Sequence, residues 1–261
     1  MKRLSDYHIH TVFSDGKDTP EEVVKTAIER GFSEIGFSDH SYTSFDESYC
    51  IPFDKISEYR ECIRTLREKY KDKIKILSGT EQDFFSEMPT EGYDYVIGSV
   101  HYVKAGEEYI PVDESPETIV KASEKYFGGD VLSFCEEYYK TVAKVSEKTG
   151  CDIIGHFDLV TKYIEKAELF DAECRRYRNA ALCAAEELLL SGKPFEINTG
   201  AISRGHRSTP YPAQFILEYL MARGAKFILS SDSHRKENIG YGFDKYENAV
   251  NGESLIDALS I

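Results

Sequence analysis

Along the chain, short apolar runs alternate with longer stretches whose apolar residues recur every three or four positions, the rhythm of repeated βα units around a parallel sheet. The first helical stretch is "DTPEEVVKTAIERG", with Thr19 as N-cap, Pro20 at the first helical position, Glu21 and Glu22 in the first turn and Gly31 past the end. The strand "EIGFSDH" follows, then a helix over about 54–71 in which Ile56, Tyr59, Ile63, Leu66 and Tyr70 share a face. Next come the strands "IKILSGTEQDF" and "DYVIGSVHYV" and two helical stretches around 115–149. The strand "CDIIGHFDLV", a helix over roughly 171–191, the strand "PFEINTG", a helix near 212–223 and the strand "KFILSSDSH" complete the series. With "DYHIH" near the start there are seven strand candidates. No internal repeat, low-complexity tract or linker rich in Gly, Pro or Ser divides the chain, so residues 1–261 read as one domain.

The polar residues fall systematically within this pattern. Each strand is apolar at its start and carries its unusual side chains where it ends: His8 and His10, Asp39 and His40, Glu81, His101, His156, Asn198, then Asp232 and His234. In an extended segment i and i+2 share a face, which aims His8 and His10 at one spot and turns Tyr7 and Ile9 away. A closed parallel barrel brings all such strand ends to one face, whereas an open doubly wound sheet gathers them less well. The expected fold is therefore a single-domain α/β barrel.

Six of the seven histidines lie at these ends, together with the carboxylates Asp15, Glu81 and Asp232. Neutral imidazole and carboxylate are ligands for Zn²⁺, Mn²⁺ and Fe²⁺, and nine such groups suit a cluster of two to three ions. Individually hydrogen-bonded histidines in a barrel mouth are the alternative, but nine inward groups without cations would leave buried charges and donors poorly paired.

Charge and cysteine usage narrow the class. Lys and Arg total 32 against 46 Asp and Glu, a formal net charge of −14, which repels a polyanion and favours a small substrate over nucleic acid. No apolar run reaches the length of a membrane span, and "MKRLSDYHIH" runs from basic residues into charge instead of an apolar leader. The six cysteines, at 50, 62, 135, 151, 174 and 183, form no C-x-x-C pair, as expected of reduced thiols in a cytoplasm.

"HIHTVFSDG", "SDH", "GTE", "SVH", "GH" and "SDSH", in this order and across nearly the whole chain, resemble the polymerase and histidinol phosphatase (PHP) superfamily of metal-dependent phosphoesterases. Within it, "FEINTGAISRG" followed by "PYP", and "GHFDLVTKY", look like the stand-alone histidinol-phosphate phosphatases of histidine biosynthesis. The resemblance implies a distorted seven-stranded (β/α)7 TIM-like barrel and hydrolysis of L-histidinol phosphate to L-histidinol and phosphate. It further implies that His8, His10, Glu81 and Asp232 hold one ion, that Glu81 bridges to a second held by His101 and His156, and that Asp15, His40 and His234 bind a third. Many members carry histidine where this chain has Asp15, a departure that bears on the third ion.

Hydrolysis of a phosphate monoester needs a nucleophile and neutralisation of a dianion, and clustered ions meet both needs through a bridging hydroxide and charge on the phosphoryl oxygens. No nucleophilic side chain is required. Ser38, Ser230 and Ser231 lie beside the ligands without a G-x-S-x-G elbow and read as packing or supporting groups. Arg204, just after "FEINTG", offers a planar fork to phosphate and resembles the family's phosphate-binding arginine. Lys162 stands where related phosphatases often have a basic residue. His206 is a further substrate-side candidate, and the general acid is His206, metal-linked water or His234. Phe13, Tyr42 and Phe45 suit the wall facing the substrate's imidazole and ammonium. Asp6, Asp39 and Asp158 are either ring-orienting acceptors for neighbouring histidines or caps and surface charges. Two other readings share these residues: a phosphoesterase for nucleotides or single-stranded nucleic acid ends, and a barrel that binds metal without catalysis.

Overall fold

A computed structural model describes residues 4–250 together with Gly252, Ser254, Leu255, Ile256 and Leu259. Its core is a nearly closed barrel of seven parallel strands: β1 (Ser5–Asp6), β2 (Glu34–Phe37), β3 (Lys75–Asp83), β4 (Tyr95–Ser99), β7 (Ile153–Ile154), β8 (Phe195–Asn198) and β9 (Phe227–Ser230), neighbours in that order. A two-stranded antiparallel hairpin, β5 (Tyr102–Ala105) and β6 (Glu108–Pro111), lies outside this sheet. The helices are α1 (Pro20–Glu29), α2 (Ile56–Tyr70), α3 (Pro116–Tyr126), α4 (Val131–Val142), α5 (Val145–Thr149), α6 (Ile164–Ala167), α7 (Arg175–Leu189), α8 (Gly200–Ser203), α9 (Gln214–Met221) and α10 (Phe243–Tyr246).

Local chemistry sets these elements. Thr19 and Glu22 form a reciprocal capping box at the start of α1, and Gly31 follows its end with φ +79°. On α2 the stripe Tyr59, Ile63, Leu66 and Tyr70 is buried against the sheet. The expected pair of helices over 115–149 is three, because Gly128 and Gly129 both take positive φ between α3 and α4 and Ala143 and Lys144 separate α4 from α5. The helix expected from about 171 starts at Arg175, since the Asp171 side chain accepts from Glu173 N in a turn and Cys174 then caps α7. The β5–β6 hairpin was not expected: its residues continue the apolar run of "DYVIGSVHYV", and Gly106 at φ +61° makes the turn that reverses it.

Inside the barrel, Tyr7, Leu77, Tyr95, Ile97, Ile153 and Ile228 form one buried cluster. The Tyr95 ring crosses the barrel and its hydroxyl donates to the Tyr7 carbonyl at 2.6 Å. Gly36 and Gly79 make room for it, for a Cβ on either would stand 2.4 or 2.3 Å from that ring system. Larger clusters lie outside, one under α1 and α2 and one spanning α3, α4, α7 and α9.

The ring closes at the segments that follow β1 and β9. His10 N donates to Ser233 O at 2.8 Å and Ser233 N to His8 O at 3.0 Å. Just below, the buried Asp6 carboxylate accepts from Ser231 N at 3.2 Å, Gly240 N at 2.9 Å and the Ser231 hydroxyl, stapling the two sides of this seam. No helix among the described residues is long and apolar enough to cross a membrane.

Candidate metal centre

His8 and His10 sit in the extended segment that prolongs β1, flanking the bridge between Ile9 and Ser233. Both rings are buried with centroids 5.0 Å apart, while Tyr7 and Ile9 face the apolar clusters. His40 follows β2 and is bridged to Glu81, which lies inside β3; His101, His156, Asp232 and His234 follow β4, β7 and β9. Asp15 arrives on the loop after His10, where Gly16 passes so close to the His10 carbonyl that a Cβ would stand 2.5 Å away. Asp232 has φ +47°, a left-handed conformation for a non-glycine residue. All nine expected ligands meet in one basin.

Glu81 is its centre. Oε2 lies 3.3 Å from His8 Nε2, 3.5 Å from His10 Nε2 and 2.9 Å from His40 Nδ1. Oε1 faces the other way, 2.9 Å from His156 Nε2 and 3.4 Å from His101 Nε2. Asp232 Oδ1 stands 3.4 Å from His10 Nε2 and 3.9 Å from His8 Nε2, so two carboxylate oxygens and two imidazole nitrogens surround one small volume. Asp15 Oδ2 is 3.0 Å from His234 Nε2, and its Oδ1 is 3.8 Å from both His10 Nδ1 and His40 Nε2.

Ligand atoms within 4.8 Å of one another fall into three groups: His8, His10 and Asp232; His40, Glu81 and His101; and His10, Asp15, His40 and His234. His10 and His40 each belong to two groups, so the boundaries between sets are less sharp than the resemblance implies, and Asp15 takes its place in the last set.

The electrostatics are those of a site short of positive charge. Burial, the largest influence on Glu81, opposes its ionisation, but His8, His40 and His101 hold the carboxyl well below the usual range. Asp232 is likewise held low against burial, chiefly by Arg204 and His8. Burial, with His234 and His40 beside it, pushes His10 down to about 3, leaving it neutral, the form that ligates metals. Buried atoms without a hydrogen-bond partner include His8 Nε2, both ring nitrogens of His10, Asp15 Oδ1, Glu81 Oε2 and His156 Nδ1. Imidazole nitrogens and carboxylate oxygens left without hydrogen-bond partners around one point are a donor set that suits divalent cations.

The centre forms the floor of a cavity of about 350 Å³. Arg204 lines it, donating through Nη1 to Asp232 O at 2.7 Å and through Nη2 to Asp232 Oδ2 at 2.9 Å, with Nη1 also 3.0 Å from His234 Nδ1. Gly200 is pressed against this pair, for a Cβ there would meet Asp232 Oδ2 at 2.7 Å and Arg204 Nη2 at 2.9 Å. Lys162 also lines the cavity, its Nζ donating to the Asp113 carboxylate at 3.0 Å and carbonyl at 2.9 Å. His206 is not among the lining residues; its ring stands edge-on to Tyr163 with centroids 5.4 Å apart.

Several supporting residues differ from expectation. Phe13 packs on Tyr59, Tyr42 on Phe53, and Phe45 stacks on Tyr109, so the aromatic lining comes instead from Tyr49 and Tyr102. Asp6, Asp39 and Asp158 touch no ligand ring: Asp6 staples the seam, Asp39 accepts from Thr11 and Ser14, and Asp158 accepts from Ala213 N and faces Arg207. The carboxylates that hold ligand rings are Glu196, 2.6 Å from His8 Nδ1, and Asp83, 3.1 Å from His101 Nδ1. The i, i+2 rule puts Asp83 on the strand face of Glu81 and Glu196 on that of Asn198, but it does not name their partners, which come from other strands.

The PHP domain family model matches residues 6–200. A histidinol-phosphatase of Lactococcus lactis is 31% identical over 253 residues, 90% of this chain and 85% of the relative. A probable histidinol-phosphatase of Schizosaccharomyces pombe is 29% identical over 242 residues, 85% of this chain and 77% of the relative. Among solved structures, a putative histidinol phosphatase from Listeria monocytogenes superposes with a TM-score of 0.77 at 20% identity, covering 93% of this chain and 99% of that one. The Lactococcus lactis histidinol phosphate phosphatase, crystallised with zinc, L-histidinol and phosphate, gives a TM-score of 0.71 at 23% identity over 97% and 95% of the two chains. These likenesses confirm the barrel fold.

Proposed function

The chain belongs to the PHP domain family, and on that premise we propose that it is a histidinol-phosphatase, a phosphoric monoester hydrolase that releases L-histidinol and phosphate from L-histidinol phosphate in histidine biosynthesis. The observation that carries the reading is the convergence of His8, His10, Asp15, His40, Glu81, His101, His156, Asp232 and His234 in one basin beneath a cavity that a cationic residue, Arg204, also lines. We assign these nine residues as ligands of two to three divalent ions drawn from zinc, manganese and iron. Such ions, when bound, supply acidity that yields hydroxide from water near neutral pH and positive charge for the phosphoryl oxygens.

The chain's own groups do the rest. Arg204 is held by two hydrogen bonds to Asp232 at the edge of the centre, which presents its guanidinium plane to a phosphate seated there. Lys162 is the second cation on that wall, shared with Asp113. Hydrolysis adds one water across the P–O bond, its oxygen to phosphorus and a proton to the departing alkoxide. His234, partly buried at the cavity edge and 3.0 Å from Asp15 Oδ2, is the side chain placed to hold that proton when the third ion is absent; with that ion bound, metal-linked water takes the role.

The outer wall supports this substrate. Asp46, Asp113 and Glu114 line it with Tyr49 and Tyr102, an acidic and aromatic surface suited to an ammonium and an imidazole. The same acidity, with the net charge of −14, opposes nucleic acid as a partner. Six cysteines without a disulfide fit a cytoplasmic location.

Turnover of L-histidinol phosphate by the purified protein, against nucleotides and an oligonucleotide at equal concentration, tests the reading. Chelation should abolish phosphate release, Zn²⁺ or Mn²⁺ should restore it, and Glu81→Ala should remain at background with either ion. Preferential cleavage of the oligonucleotide would overturn the substrate, and inactivity towards every monoester with metals present would overturn the enzyme.

A further inference from the structure

Glu196 takes no direct part in the hydrolysis, yet this one buried carboxylate meets two of the proposed ligands from behind. It is 1% exposed within β8. Oε1 lies 2.6 Å from His8 Nδ1, while Oε2 accepts from the backbone N–H of His156 at 2.8 Å and from Asn198 Nδ2 at 3.1 Å. The Asn198 amide is oriented by its other end, whose Oδ1 accepts from Gly200 N at 2.9 Å, so an NH₂ group faces Glu196. Oε2 therefore sees two fixed donors, and Oε1 sees the one nitrogen whose proton is free to move.

We propose that Glu196 is a positioning residue of the metal centre: it keeps the His8 proton on Nδ1, leaves Nε2 bare towards Glu81 and Asp232, and fixes the backbone at His156 through the same carboxylate. The inference rests on the reading of His8 and His156 as metal ligands. It follows from the donor inventory: a carboxylate only accepts, so a proton must lie between Oε1 and Nδ1 at 2.6 Å, and the ring supplies it.

The amide variant exposes the mechanism because it changes one atom and no volume. In Glu196→Gln the amide oxygen is forced to the Oε2 position, since an NH₂ there would confront the N–H of His156 and the NH₂ of Asn198. The amide NH₂ then faces His8 Nδ1 and donates to it, which drives the ring proton to Nε2, the nitrogen the ion needs. Loss of a partner of this kind costs about 10- to 100-fold in metal affinity.

The test loads wild type and Glu196→Gln, with ¹⁵N-labelled histidine, with Cd²⁺ enriched in ¹¹³Cd as the probe ion. In wild type the metal should couple to His8 Nε2 and Nδ1 should carry the proton; in the variant that coupling should vanish and binding should weaken about 10- to 100-fold, with the apo chain still melting in one cooperative transition. Coupling through His8 Nδ1 in wild type, or wild-type affinity in the variant, would overturn the inference. Should the variant fail to fold, the wild-type coupling decides alone. A wild type that binds no divalent ion at all would instead sink the metal-centre reading, an outcome the titration separates from the other two.

Discussion

Arg204 spends two donors on Asp232, so its side chain both orients a carboxylate proposed as a ligand and lines the space where phosphate is proposed to sit. Removing a charged hydrogen-bonding partner costs about 1.5–3 kcal/mol, which corresponds to roughly 10- to 100-fold in kcat/KM. Arg204→Ala is expected to lose that much on L-histidinol phosphate. Arg204→Lys should recover only part of it, because an ammonium restores the charge without the planar fork. Equal kinetics for wild type and Arg204→Ala would remove Arg204 from the catalytic residues.

Short elements carry much of the positioning, and their requirements are local. Thr19→Ala, which breaks the capping box at the start of α1, should lower stability by about 1 kcal/mol in denaturant unfolding and leave the kinetics alone. Gly79→Ala drives a methyl into the Tyr95 ring inside the barrel and should cost about 1–3 kcal/mol; relief of that loss in the Gly79→Ala, Tyr95→Leu double variant would show that the ring is the obstacle. The seven strands and the meeting of polar side chains at their ends could be read from sequence because apolar starts and polar ends repeat at each βα unit. The cap of α1 could be read for the same reason, as its signals lie within four residues. Asp83 and Glu196 could not be read as ring holders, because their partners His101 and His8 come from other strands and meet them only once the register is set. The same holds for Tyr49 and Tyr102, which reach the cavity from a loop and from a hairpin that merges with the preceding strand in the hydrophobic pattern.

At the scale of the molecule, a chain with formal charge −14 encloses ionised Glu81, Asp232 and Asp15 among buried imidazoles. Cations that bind only the folded form add stability in proportion to the logarithm of their concentration, about 2.7 kcal/mol at one hundred times Kd. The melting temperature is therefore expected to fall on treatment with chelator and to climb again as Zn²⁺ is titrated back; a melting temperature indifferent to both would mean that no ion binds the native centre. The seam between β1 and β9 adds a temporal dimension. Asp6 and Ser231 are separated by 225 positions, and the same junction brings His8 and His10 to Asp232. During synthesis the imidazoles beside β1 thus emerge well before the carboxylate they meet, since the two sides of the seam lie 225 positions apart. Ring completion and assembly of the proposed cation site thus become a single event, so the nascent chain has no finished site until the barrel has shut.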